Sequence, residues 1–163
     1  MAVLPIRLFP DPILRKPAQP VPPAREVRGF IERLVETMYA QPSGIGIAAP
    51  QVGESWRIIA MDLSPRDSSK SLEIMINPVI IRRSGEVTSR EGCMSLPDYT
   101  ANVRRSERVT VVWFDEKGSR RKRMFHGIEG MCVQHEIDHL EGKLILDRVA
   151  CLKTDVLPRR RPA

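Results

Sequence analysis

Histidine and cysteine are scarce in this 163-residue chain, three of each, and aromatic residues make up only 5% of it. No apolar run approaches the about 18 residues that would span a bilayer. The start, MAVLPIRLFPDPILRKP, breaks its few apolar residues with prolines, so it lacks the core of a signal peptide. The chain is therefore expected to act in the cytoplasm, away from membranes. Cys93, Cys132 and Cys151 are odd in number and irregular in spacing, which argues against a disulfide framework and for reduced thiols. Aromatic residues do not interleave with the basic ones, so no RNA-reading motif stands out. Repeats and low-complexity tracts are absent as well.

What is present suits an ordinary globular protein. Apolar residues make up 42%, and a chain of this length buries about 68–70% of its unfolded surface. A core of that size needs no metal or disulfide staple, so any metal would serve chemistry. The net charge of +6 is uneven. Residues 101–125 hold eight basic side chains against three acidic ones, and residues 153–163 are basic too. Such an excess reads either as a solvated basic face or as attraction for a polyanion.

Seven of the 14 prolines fall within the first 23 residues. Each fixes φ and removes a donor, so residues 1–23 are expected to wrap the domain as an extended arm. Pro22 and Pro23 are expected to open a helix in which Val27, Phe30, Ile31, Leu34, Val35 and Met38 form one apolar stripe, through about Tyr39. Gly44–Gln51 follows, small residues that let another backbone approach closely. Strands are predicted over Arg57–Leu63 and Leu72–Ile81, with a hairpin of Val109–Phe114 and Arg120–Phe125 around Asp115-Glu116-Lys117-Gly118. A second helix should run from about Ile128 to Leu140 and stop at Gly142. This order predicts an α+β fold with antiparallel sheets packed around one central helix.

That second helix carries His135-Glu136-Ile137-Asp138-His139, a His-Glu-x-x-His pattern. Residues four apart project about 40° from one another with a rise of about 6 Å, so both imidazoles can meet one metal ion. Glu136, about 100° round the helix, flanks the pair where a general base belongs. A catalytic site also needs a third protein ligand and an open position. Cys132 lies about 7–8 Å along the axis from the midpoint of the pair and reads as a small buried hydrophobe. Cys151 could be placed anywhere. Cys93, between the turn-permitting Gly92 and a Ser-x-Pro expected to end pairing, is the best third ligand. His126 lies outside the motif and reads as a surface residue.

Three segments, Gly44–Gln51, Glu91–Pro97 and His135–His139 followed by Leu140 and Gly142, resemble in order and separation the three motifs of peptide deformylases. The start Phe9-Pro10-Asp11-Pro12-Ile13-Leu14 is similar too. The resemblance covers most of residues 4–150 and agrees with the fold read from the elements. It implies a hydrolase that removes the N-formyl group from N-formylmethionyl peptides. Cys93, His135 and His139 would hold one divalent ion, commonly Fe2+, with Ni2+ or Zn2+ able to substitute. Glu136 would move the proton, while the Gln51 side chain and the Met94 N–H would donate to the oxyanion. Ile45, Gly46 and Gly92 would hold an extended peptide, and Ile128 and Cys132, facing inward, would line the methionine pocket.

Glu91 reads as a partner of Arg105, or equally as part of an ordinary surface pair. Met94-Ser95-Leu96 exchanges apolar for apolar relative to many members, and Thr100 stands where several carry an arginine. The alternatives are action on other N-formyl compounds, or a catalytically silent scaffold of the same fold. Residues 1–150 are expected to be one catalytic domain and 151–163 a short basic tail. A monomer or weak dimer is expected, with ribosome contact possible through the basic surface or the tail.

Overall fold

The computed structural model describes residues 3–23, 25–42 and 44–159. It contains α1 (Arg28–Tyr39), β1 (Gly46–Ala48), β2 (Ile58–Met61), β3 (Glu73–Ser84), β4 (Val87–Cys93), β5 (Leu96–Arg105), β6 (Arg108–Phe114), β7 (Arg120–His126), α2 (Gly127–Leu140), α3 (Leu152–Asp155) and β8 (Val156–Pro158). Strands β1-β2-β3-β6-β7 form one antiparallel sheet and β4-β5-β8 a second. The architecture is α+β, as expected.

β2 shows how the larger sheet is held. Its four residues, Ile-Ile-Ala-Met, are buried on both faces. Ile58 and Ala60 join Ile31, Leu34 and Met38 of α1, while Ile59 and Met61 join Val133, Ile137 and Leu140 of α2. Side chains alternate across a strand, so one short run packs two helices at once. Each such aliphatic side chain contributes about 1.5–3 kcal/mol on full burial.

From Gly130 onward α2 is therefore mostly buried, apart from the face that lines a cleft. Its apolar side chains meet the five-stranded sheet, and Glu136, Asp138 and His139 are buried as well. Gln134 fastens the helix, accepting from the Ser106 N–H and donating to the Ser106 carbonyl. The helix ends where Gly142 adopts φ +72, and a Cβ there would strike the Arg15 carbonyl of the N-terminal arm.

Several boundaries differ from the sequence reading. α1 begins at Arg28, because the Arg25 N–H bonds back to the Pro22 carbonyl and the Glu26 carboxylate accepts the Arg28 N–H. The two prolines precede the helix without opening it. The described arm is extended apart from a turn at Phe9-Pro10 and a 3-10 turn at Pro12–Arg15, the latter capped by the Asp11 side chain. Pro97 does not end pairing, since β4 and β5 continue as a long hairpin whose tip is Met94-Ser95. The β6–β7 hairpin forms as predicted, with Asp115 accepting the Lys117 and Ser119 N–H groups inside its turn.

Candidate metal centre and active site

The β4–β5 tip brings Cys93 to the face of α2 that carries His135 and His139. The Cys93 sulfur and one nitrogen from each imidazole lie within 4.8 Å of one another. Cys93 Sγ is 3.3 Å from His139 Nε2. His135 Nδ1 lies 2.9 Å from the Glu91 carboxylate, which can only accept, so Nδ1 donates and the Nε2 lone pair is left for another partner. Burial would raise the Cys93 thiol, but the His139 and His135 imidazoles outweigh it and hold the thiol well below its ordinary value. A thiolate and two imidazoles facing one point form a donor set that fits a single divalent ion, with a fourth position open. Cys132 stays outside this cluster, as the helix geometry required.

Glu136 is buried beside the cluster, and Oε2 has no hydrogen-bond partner among the described residues. Burial raises its carboxyl above the usual range, against the lowering influence of His135 and His139. Its other oxygen presses on Gly46: a Cβ there would sit 2.7 Å from Oε1 and 2.8 Å from Cys132 Sγ. Only glycine lets β1 lie this close. Gln51, also buried, accepts the Ala48 N–H at 3.0 Å through Oε1. That bond turns Nε2 toward Ser95 Oγ at 3.2 Å and Cys93 Sγ at 3.7 Å, presenting a donor to the site.

A cleft of about 590 Å³ opens over these groups, and its walls include Ile45, Gly46, Gln51, Gly92, Met94, Ile128, Cys132, His135 and Glu136. The sequence-predicted site residues thus share one cavity, apart from His139, which lies beneath it. Ile128 differs in detail from its expected inward position, being 45% exposed on the cleft wall. The Ile45 carbonyl accepts the Asp62 N–H at 2.8 Å, which fixes that residue at the head of β1.

Of the charged frame behind the cluster, sequence reasoning offered the Glu91–Arg105 pair as one of two readings and missed Asp138 and Arg148. Arg105 grips Glu91 with two parallel bonds, Nε at 2.9 Å and Nη2 at 2.8 Å, and its Nη1 donates to Asp138 at 2.6 Å. Arg148 forks onto the same Asp138 carboxylate at 2.8 and 3.0 Å. The Arg105 side chain is only 3% exposed, so the Glu91 pair is buried and not an ordinary surface pair. Burial pushes the Glu91 carboxyl up, yet the bonds from Arg105 and His135 prevail and hold it at about 2. Arg105 thus fixes Glu91, and Glu91 in turn fixes and aims the His135 imidazole. Asp138, inside the motif, offered a signal: an acidic residue on a buried helix face needs a cationic partner.

The family model for polypeptide deformylase matches residues 3–155. The chain belongs to the polypeptide deformylase family. Members of this family are hydrolases that remove the N-formyl group from nascent polypeptides. A peptide deformylase of Thermodesulfovibrio yellowstonii is 40% identical over 161 residues, covering 98% of this chain and 97% of that one. A peptide deformylase crystal structure from Legionella pneumophila superposes with a TM-score of 0.86 at 37% identity, covering 93% of this chain and 89% of that one. A Met-Ala-Ser bound structure of the Acinetobacter baumannii peptide deformylase gives 0.80 at 34% identity, covering 91% and 99%. The fold of this deformylase family and a single candidate Cys/His/His metal site therefore occur together in the chain. No helix among the described residues is long and apolar enough to cross a membrane.

Proposed function

We propose that this chain removes the formyl group from N-formylmethionyl peptides in the cleft between α2 and the β4–β5 hairpin. The convergence of Cys93, His135 and His139 beside the buried Glu136, whose Oε2 has no hydrogen-bond partner among the described residues, carries the reading. Those three side chains hold one divalent ion, Fe2+ by preference, with Ni2+ or Zn2+ able to replace it, since thiolate and imidazole suit all three. When bound, such an ion supplies a Lewis acid that eases ionisation of water and polarises a carbonyl.

Glu136 takes a proton from the attacking water as its oxygen bonds to the formyl carbon. It returns that proton to the methionine nitrogen as the C–N bond breaks and formate leaves. A carboxyl raised by burial suits both halves of this exchange. Gln51 Nε2, aimed by the Ala48 bond, and the Met94 N–H donate to the tetrahedral oxyanion. Ile45, Gly46 and Gly92 offer main chain to an extended peptide, and Ile128 and Cys132 the apolar wall for methionine. The Met-Ala-Ser bound relative supports a peptide substrate over other N-formyl compounds.

Formate release from formyl-Met-Ala-Ser, with protein prepared anaerobically in iron, tests the reading. Glu136→Ala is expected to keep its metal content while kcat falls about 10²–10⁴-fold. No release with any added metal would favour the silent scaffold. The same reading places the chain in the cytoplasm as a monomer or weak dimer that meets the ribosome through its basic face. Lys117, Arg120 and Lys122 of the β6–β7 hairpin join no ion pair among the described residues, which supports that contact. Salt-insensitive ribosome pelleting would remove it. Of the tail, Arg160–Ala163 lie outside the described residues.

A further inference from the structure

β8 closes the smaller sheet on β5, pairing Tyr99 with Pro158, Thr100 with Leu157 and Ala101 with Val156. One step beyond, the Arg159 N–H donates to the Asp98 carbonyl at 2.8 Å, so the Arg159 backbone is held in strand register. Paired residues of an antiparallel sheet share a face, and residues two apart along a strand share it too. Gly92 of β4 pairs with Thr100, and Thr100 with Leu157. Arg159, two residues after Leu157, therefore points to the same side as Thr100 and Gly92. All three line the cleft.

The guanidinium lies diagonally across this face, against Gly92, where a Cβ would strike Nη2. The missing side chain of Gly92 and the short one of Thr100 leave the room it fills. Arg159 takes part in no ion pair among the described residues, and neither do Arg66 and Arg90, which line the same cleft. The acids on the cleft wall are Glu91 and Glu136. Glu91 is already committed to Arg105 and His135, and Glu136 lies deeper, beside Gly46. The Arg159 fork thus faces the cavity with its donors open, and Gly92 is the residue next to Cys93. A peptide whose formyl group reaches the Cys93, His135 and His139 cluster carries its following residues past this guanidinium.

We propose that Arg159 is a substrate-binding residue whose guanidinium grips an oxygen of the peptide downstream of the N-formylmethionine. This rests on the deformylase reading above. The oxygen is either a main-chain carbonyl or the terminal carboxylate of a short peptide; a planar fork of donors accepts both. The C-terminal strand is then part of the active site, delivered there by its pairing with β5.

The test compares wild type, Arg159→Ala and Arg159→Lys, each loaded with metal, on formyl-Met-Ala-Ser, its C-terminal amide and formyl-methionine amide. Arg159→Ala is expected to raise KM for formyl-Met-Ala-Ser about tenfold with kcat nearly unchanged, the effect of one charge-assisted hydrogen bond. Calorimetric affinity for the product peptide Met-Ala-Ser should fall by a similar factor. Hydrolysis of formyl-methionine amide, which has no downstream residue, should be unaltered. Equal losses on acid and amide identify a carbonyl as the partner, whereas loss on the acid alone identifies the carboxylate. Arg159→Lys should retain part of the affinity, since it keeps the charge and loses the fork. Unchanged KM and affinity in Arg159→Ala, or an equal fall in kcat on all three substrates, would overturn the proposal and leave the deformylase reading standing. No formate from any substrate with wild type would overturn both.

Discussion

Two regions of this molecule are built from the same residue types and behave differently. Behind the candidate metal centre, Glu91, Arg105, Asp138 and Arg148 form a chain of ion pairs that links the smaller sheet, α2 and the segment after it. On the β6–β7 hairpin, Arg121 meets Asp115, and Arg123 meets Glu73 and Glu129. Side-chain exposure is 3% for Arg105 and 59% for Arg121. In water an ion pair gains little, because solvent screens it and two long side chains must be ordered. Out of water each charge needs its partner, and removing one strands the other. The first region therefore fixes geometry, and the second sets surface charge.

The sharpest way to break this contrast is Arg105→Ala. It leaves Glu91 and Asp138 buried without their shared cation and is expected to cost about 3–5 kcal/mol. Thermal unfolding should move down by about 10 °C, given about 2–4 °C per kcal/mol at this size. A shift no larger than that of Arg121→Ala would end the distinction.

Glu91→Gln tests the link from this frame to the metal centre. The amide cannot reproduce a carboxylate that takes both the Arg105 fork and the His135 N–H, so His135 loses its fixed orientation. Metal affinity, measured by competition with a chelator, should fall about 10–100-fold.

The same carboxylate predicts an acid limit. The folded Glu91 carboxyl lies at about 2 against an ordinary 4.5, and Asp138 is likewise lowered, where Arg148 and Arg105 outweigh burial. A depressed carboxyl contributes stability that is full above its unfolded value and lost as pH falls through its folded one. Stability should therefore decline between about pH 4.5 and 2, and chemical denaturation across that window should show a shallower decline in Arg105→Ala.

The smallest effect is expected from Arg121→Ala, below about 1 kcal/mol and reduced further by salt. A denaturant midpoint within error of wild type at high salt would match it.

The site was legible in the sequence to the extent that its parts are local. The four-residue spacing of His135 and His139 holds on any α-helix, and the same geometry excluded Cys132 from the cluster. The β6–β7 turn was legible because Asp115 and Gly118 carry its chemistry within five residues. β4 and β5 were not, since Thr88-Ser89-Arg90-Glu91 shows no apolar alternation. That strand is held by its ladder to β5 and by charge pairing across the sheet face. The start of α1 was misplaced because proline marks a first turn only where the following backbone continues the helix.

By itself, then, the sequence determined the helical pair of imidazoles, the acid beside them, the family, and a strand within Arg57–Leu63. The imidazole pair, the acid and the strand follow from the fixed periods of helix and strand, which hold wherever the segment sits, and the family from the likeness of three motifs in order. Only the tertiary structure decided that Arg105 belongs inside and Arg121 outside, though both lie in one basic stretch. It alone carried Arg159 from the end of the chain to Gly92. Burial and long-range pairing are set by which surfaces close on one another, and a count of charges along the chain does not contain that information.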